Sequence, residues 1–225
     1  ALGEMSAAVS HELNPPLAAL KTYLAGAKLL LQRHRPDEAL SSFQRIDDLI
    51  GRMGAITRQL KSYARKGSDD LVAVDLREAL SAGLSMMEPQ LNQMKVRITR
   101  NIPREPVLVR ADQLRLEQVI VNLLRNALDA MKHVNEKELT ILLSGGQTVI
   151  LSVRDNGDGI DDLDQLFEPF YTTKKPGDGV GLGLAISSGI INDLGGRLIA
   201  RNGSAGGAVF EIQMPPLGSE QRAAE

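Results

Sequence analysis

Residues 117–130 read Glu117-Gln118-Val119-Ile120-Val121-Asn122-Leu123-Leu124-Arg125-Asn126-Ala127-Leu128-Asp129-Ala130, and their spacing divides the stretch into two faces. Val119, Leu123, Ala127 and Ala130 recur at helical intervals and mark an apolar face. Asn122, Asn126 and Asp129 fall together at i, i+4, i+7 on a polar one. Standing alone, such a face is what any solvated helix presents. Its amide oxygens are nevertheless hard ligands of the kind Mg²⁺ accepts, an ion that keeps few protein ligands beside its waters and phosphates. Asp112 stands where a side-chain cap opens a helix, which is expected to run to about Lys132.

Around this helix the periodicity alternates between strand and helix. Residues 139–143 and 149–154 are β-rich and joined through Gly145-Gly146, which predicts a hairpin. A second hairpin is expected to pair 197–201 with 208–214 through the glycine-rich residues 203–207. Short strands are read near 71–74, 96–100 and 107–110. Asp75 opens a helix to about Leu91, and another helix follows the glycines near 183 to about Leu194. Helices mixed with antiparallel hairpins predict an α/β two-layer sandwich.

Upstream the pattern is helical throughout. Met5, Val9, Leu13, Leu17, Leu20, Leu24, Ala27 and Leu31 step by three and four, as a bundle seam does. After the break Arg33-His34-Arg35-Pro36, the stripe resumes through Leu40, Phe43, Ile46, Ile50, Met53, Ile56, Leu60 and Tyr63, with Asp37 and Glu38 suited to a helix start. Two arms with one apolar stripe each form a hairpin that completes itself as a dimeric four-helix bundle. Residues 1–13 are already helical in character with no cap ahead of them, so the helix is expected to begin further upstream. The expected organisation is a helical domain over 1–66, a polar linker at 67–71, the sandwich over 72–217 and a disordered tail at 218–225. Pro15-Pro16 removes two backbone N–H groups inside the first helix, so a bend just after His11 is expected, with the helix resuming by Leu17.

Composition narrows the functions available. A net charge of −2 and 3% aromatic residues, with no Trp, give neither the basic footprint nor the stacking platforms of a nucleic-acid binder. The absence of Cys removes disulfides and thiolate metal sites, in keeping with a reducing cytosol. No apolar run approaches the roughly 18 residues needed to span a bilayer, so no direct membrane contact is expected of this stretch.

Four constellations could carry chemistry. His11 lies roughly 180–200° around the helix from Val9, Leu13 and Leu20, away from the seam, at about 100° per residue. Its face continues through Pro15, Ala18, Thr22 and Ala25, smooth enough for a docking surface, although a lone surface histidine often has no role. Adjacent Glu12 can hold one imidazole nitrogen as N–H and leave the other nucleophilic. The Asn122/Asn126 face is the second. Asp155-Asn156-Gly157-Asp158-Gly159-Ile160 follows a strand, and its carboxylate could accept from an exocyclic amine, with Gly157 and Gly159 letting backbone approach a flat ring. Asp-Asn-Gly also reads as an ordinary turn. The fourth, Gly179-Val180-Gly181-Leu182-Gly183, opens a helix whose N–H groups and dipole suit phosphate. It is neither a Rossmann fingerprint nor a Walker A loop. Between the last two, Phe167-Glu168-Pro169-Phe170-Tyr171-Thr172-Thr173-Lys174-Lys175 reads as a lid with cationic phosphate contacts from its Lys174 end.

In this order the motifs resemble those of sensor histidine kinases. Ser10-His11-Glu12-Leu13-x-x-Pro16-Leu17 resembles the H box, the Asn126 helix the N box, Asp155-x-Gly157-x-Gly159 the G1 box, Phe167-Glu168-Pro169-Phe170 the F box and Gly179-x-Gly181-x-Gly183 the G2 box. The Glu-Leu-Asn-x-Pro-Leu-Ala-Ala-Leu run is closest to kinases of the C4-dicarboxylate sensor type. The resemblance covers nearly the whole chain and implies a homodimer through residues 1–65 that autophosphorylates His11 from ATP, with Glu12 as base. It implies onward transfer to a response-regulator aspartate. It also implies a nucleotide site of Asn122, Asn126, Asp155, Gly157, Gly159, Thr173, Lys174, Gly179, Gly181, Leu182 and Gly183, with Asn126 on Mg²⁺ and Asp155 on the adenine amino group. A cytoplasmic location for this part, within a parent sensor of the plasma (inner) membrane, follows from the same likeness. The family usually carries a polar residue four after the histidine; Pro15 stands there, which implies weak partner dephosphorylation. Two other readings share the motifs: an ATP-hydrolysing machine on the same sandwich, disfavoured because Asn122 stands where those relatives carry a catalytic Glu, and a dimerising adaptor without catalysis, disfavoured by the intact Asn126, Asp155 and glycines.

Overall fold

The first helix, α1, spans Leu2–Gln32, and the second, α2, spans Pro36–Ala64. The computed structural model describes residues 2–64, 71–174 and 181–218; most of the expected linker, Lys175, Gly179 and the expected tail after 218 lie outside the described residues. Helix α1 is continuous through Pro15 and Pro16, so no residue between His11 and Leu17 leaves the helix. Two lost N–H donors are outweighed by the apolar positions that continue on both sides of them. Just beyond the helix, His34 has a φ of 54°, in the left-handed region. There Arg35 N–H donates to the Leu30 carbonyl (2.9 Å) and His34 N–H to that of Leu31 (3.1 Å), the paired bonds of a Schellman cap. Pro36 then occupies the first helical position of α2, where a missing N–H costs nothing.

Packing between the two helices is narrow. Ala27 and Ala39 are fully buried, whereas Leu17, Leu24, Leu31, Phe43 and Ile50 remain largely exposed. The first three recur every seven residues, as do the last two. The apolar stripes are therefore wider than one hairpin can cover.

The described residues form two compact units, the helical pair grouped with residues 172–174, and a second unit of sheets and helices. The second contains β1 (Val72–Asp75), α3 (Leu76–Gln93), β2 (Arg97–Asn101), β3 (Leu108–Ala111) and α4 (Gln113–Ala130). It continues with β4 (Glu138–Ser144), β5 (Val149–Asp155), α5 (Gly183–Asp193), β6 (Arg197–Asn202) and β7 (Ala208–Met214). Asp75 and Asp112 cap α3 and α4 as expected, accepting from the N–H groups of Arg77 and Arg115. The Arg77 guanidinium on Asp75, more than its backbone partners Arg77 and Val107, holds that carboxyl below its ordinary range.

Both predicted hairpins form: β4 pairs antiparallel with β5, and β6 with β7. They join through β5 and β7 into a five-stranded sheet ordered β2-β4-β5-β7-β6. Strand β2 lies parallel to β4, a pairing that needs a crossover, here made through β3 and α4. Strands β1 and β3 form a separate two-stranded sheet, which Pro216 and Leu217 extend against β3. The core lies between the helices and one sheet face, with Leu116, Ile120, Leu123 and Leu124 of α4 sealed together with Leu139, Ile141, Leu151 and Ile212 of the strands. This is the two-layer α/β sandwich expected from the sequence.

Candidate active site

Two separate chain segments converge on α4. At its C-terminal end Gly157 packs so closely that a Cβ there would stand 2.6 Å from the Ala130 carbonyl oxygen. In the middle of the helix, a Cβ on Gly183 would stand 2.5 Å from Asn122 Oδ1, so only glycine lets the start of α5 lie against that side chain. Asn122 is also committed to α5 through its Nδ2, which donates to Ser187 Oγ at 2.9 Å. Asn126 lies four residues from Asn122 and four from Ala130, about 6 Å of helix on either side. The two glycine motifs therefore bracket it. It is half-buried, and its amide makes no hydrogen bond to another described residue.

Asp155 ends β5 and is 2% exposed. Its Oδ1 accepts from Gly157 N–H (2.8 Å) and from Ala208 N–H (3.2 Å), while Oδ2 has no partner among the described residues and keeps access to solvent. Burial pushes the carboxyl above its ordinary value of 3.8, against the lowering effect of those two N–H groups. One oxygen is thus fixed by backbone and the other is left as an acceptor. The loop that follows is tied down by two further asparagines. Asn156 Oδ1 accepts from Glu138 N–H (2.9 Å) and its Nδ2 donates to the Glu136 carbonyl (2.7 Å). Asn202 Oδ1 accepts from Ile160 N–H (2.7 Å), and its Nδ2 donates to the Ile160 carbonyl (2.9 Å).

Helix α5 begins at Gly183 with Leu182 ahead of it and no side-chain cap, so its first N–H groups stay available to an anion. Phe170 N–H donates to the Gly181 carbonyl at 3.0 Å, bringing together the two ends of the segment between them. Thr173 and Lys174 lie within that segment, where Lys174 N–H donates to Thr172 Oγ1 (3.2 Å). Gly159 lies beside Asn202 in the loop after Asp155. Asn122, Asn126, Asp155, Gly157, Gly159, Gly181, Leu182 and Gly183 thus share one end of the second unit. Gly179 is outside the described residues, and the side chains of His11 and Glu12 on α1 are outside them as well. No sequence motif assigns a role to Asn156, Asn202, Ser187 or the Ala208 N–H. The signal for Asn202 was its position just before the glycine turn, which reads equally well as a turn residue.

A helical pair followed in the chain by this α/β sandwich is the domain order of the protein-histidine kinases. The His Kinase A (phospho-acceptor) domain matches residues 1–69, and the histidine kinase-, DNA gyrase B- and HSP90-like ATPase domain matches residues 111–218. The chain belongs to the sensor histidine kinases and is similar to C4-dicarboxylate transport sensor proteins. It is 42% identical over 220 residues to the C4-dicarboxylate transport sensor protein DctB of Pseudomonas aeruginosa, covering 96% of this chain and 36% of that one. The chain spans about a third of the length of such curated relatives. Among solved structures, the Acinetobacter baumannii histidine kinase AdeS aligns with a TM-score of 0.73 at 25% identity, covering 92% of this chain and 98% of that one. A histidine kinase ThkA in complex with response regulator protein TrrA shares the fold, with a TM-score of 0.72 at 24% identity over 95% of this chain and 61% of that one.

Proposed function

We propose that the second unit binds ATP at the site around α4 and that its γ-phosphoryl group passes to His11, then to an aspartate of a response regulator. The observation that carries this reading is the pairing of a free acceptor, Asp155 Oδ2, with an unpartnered Asn126 between two glycine motifs. Asp155 Oδ2 accepts from the adenine amino group, and the uncapped start of α5 at Leu182 and Gly183 receives the phosphates, with Gly179 and Gly181 holding the lid that carries Thr173 and Lys174. No group of three or more His, Cys, Asp or Glu side chains among the described residues could hold a metal. The residues present suit Mg²⁺ that is carried largely by the phosphates, with Asn126 supplying one hard amide oxygen. Such an ion supplies charge neutralisation on the phosphoryl oxygens. Glu12 takes the imidazole proton as the His11 nitrogen attacks in line and ADP leaves. Hydrolysis is a weaker reading because Asn122 is bound to Ser187 and cannot act as a base toward water.

The base-recognition role has a direct test. Asp155→Asn keeps the shape of the side chain, but one of its two oxygens becomes an NH₂ group. Either the two backbone N–H donors or the adenine amine then faces another donor. The expected loss is on the order of 10–100-fold in ATP affinity, read by calorimetry. The wild-type advantage should shrink on acidification, because protonation of Asp155 begins above the ordinary carboxylate range. Fold stability moves the other way over that interval. A raised native pKa penalises the charged form, so acidification through it relieves the penalty. Equal ATP affinities for the two proteins at neutral pH would refute the role.

Assembly follows from the wet stripes of α1 and α2. With Leu24 51% and Ile50 55% exposed in the single chain, a second copy is the partner that covers them, which makes the four-helix bundle. Sedimentation at micromolar concentration should give twice the 24.3 kDa chain mass. Charge substitutions at Leu24 and Ile50 should return it to that of one chain. A wild-type monomer would count against the bundle.

A further inference from the structure

The asparagine at the end of β6 holds both polar atoms of one loop residue. Asn202 Oδ1 takes the N–H of Ile160 at 2.7 Å, and its Nδ2 reaches the carbonyl of the same residue at 2.9 Å. An amide side chain can satisfy one N–H and one C=O of a single residue, as a neighbouring strand does. Here it does so for a loop with no strand partner. The loop it holds, Asp155 to Ile160, contains two glycines and would otherwise sample many conformations at high entropic cost on ordering.

The turn following Asn202 is built against the same loop. Gly203 N–H donates to the Gly207 carbonyl (2.9 Å), and the next residue, Ala208, supplies the N–H that fixes Asp155 Oδ1. A Cβ on Gly207 would stand 2.0 Å from the Asp155 carbonyl oxygen, so the β6–β7 turn lies in direct contact with the end of β5. A Cβ on Gly159 would come 3.0 Å from Asn202 Oδ1. The turn therefore touches the loop at both ends: at the recognising carboxylate through Ala208, and at Gly159–Ile160 through Asn202.

We infer that Asn202 is a positioning residue for nucleobase recognition: it presets the Gly159–Ile160 backbone beside Asp155 before the base arrives. The inference rests on the adenine reading of Asp155 and adds a specificity element 47 positions away in sequence. Asn202 touches neither base nor phosphate; it lowers the ordering cost of the loop that does. Both of its hydrogen bonds are exposed, so their contribution to fold stability is small. Role and stability can thus be separated.

The test measures ATP and GTP affinity by calorimetry for wild type, Asn202→Ala, Asn202→Asp and Asp155→Asn, together with thermal unfolding. GTP presents a carbonyl acceptor where ATP presents an amine, so Asp155 favours ATP in the wild type. Asn202→Ala should weaken ATP binding about tenfold and GTP binding much less, narrowing the preference with little change in melting temperature. Asn202→Asp keeps the acceptor for Ile160 N–H and loses the donor, so it should fall between the two. An unchanged ATP/GTP ratio in Asn202→Ala would overturn the inference, as would equal weakening of both nucleotides accompanied by a lowered melting temperature. If Asp155→Asn also left the ratio unchanged, the adenine reading itself would be wrong. A ratio altered in Asp155→Asn alone would confine the failure to Asn202.

Discussion

Replacing His11 with Gln is expected to abolish autophosphorylation while leaving ATP affinity unchanged. Gln is a good helix former of similar reach and no charge, so α1 keeps its helix through this position. It has no nitrogen lone pair able to attack phosphorus, because the amide nitrogen is delocalised into its carbonyl. Removing a nucleophile outright costs on the order of 10³-fold or more, so labelling from γ-labelled ATP should fall below detection. The proposed nucleotide site is built from α4, α5 and the end of β5, none of which contains His11. The chain holds three histidines, and the other two have other positions: His34 forms the left-handed cap of α1, and His133 is exposed just beyond α4. Acid-labile label mapped to either of those in the variant would overturn the assignment. A parallel loss of ATP binding would show that the substitution had damaged the fold instead.

The parts of this molecule that were legible in the sequence are those set by near neighbours. Asp75 and Asp112 cap helices through N–H groups two or three residues away, and Gly145-Gly146 turns a hairpin between adjacent strands, so a short window contains all the information needed. The separate β1–β3 sheet and the parallel β2–β4 pair depend on segments 36 and 41 residues apart, and periodicity does not record which strand neighbours which. Asn202 is the same case within the site. Its neighbours Gly203 and Gly207 make it a turn residue, and nothing local shows that Ile160, 42 residues earlier, will lie against it. At Pro15-Pro16 the local rule against interior proline points to a bend, the apolar positions on both sides point to a helix, and α1 is continuous there.

Asn126→Ala should eliminate most autophosphorylation without destabilising the protein, and the contrast with Asn122 explains why. Both residues lie on one face of α4, one turn apart. The Asn122 amide is already used, donating to Ser187 Oγ and packed against Gly183, so its removal would loosen α5. The Asn126 amide is bonded to no described residue, and its apolar neighbours Leu123, Leu124, Ala127 and Leu128 are buried without its help. Alanine is the better helix former by a few tenths of a kcal/mol, roughly, so the melting temperature should hold or rise slightly. The reaction should slow on the order of 10²–10³-fold, the usual loss when one electrostatic partner of a developing charge is removed. The discriminating readout is the metal dependence of nucleotide affinity. In chelator both proteins should bind ADP alike, and added Mg²⁺ should tighten ATP binding in the wild type much more than in the variant. Labelling at the wild-type rate, with the same Mg²⁺ titration, would remove Asn126 from the metal site.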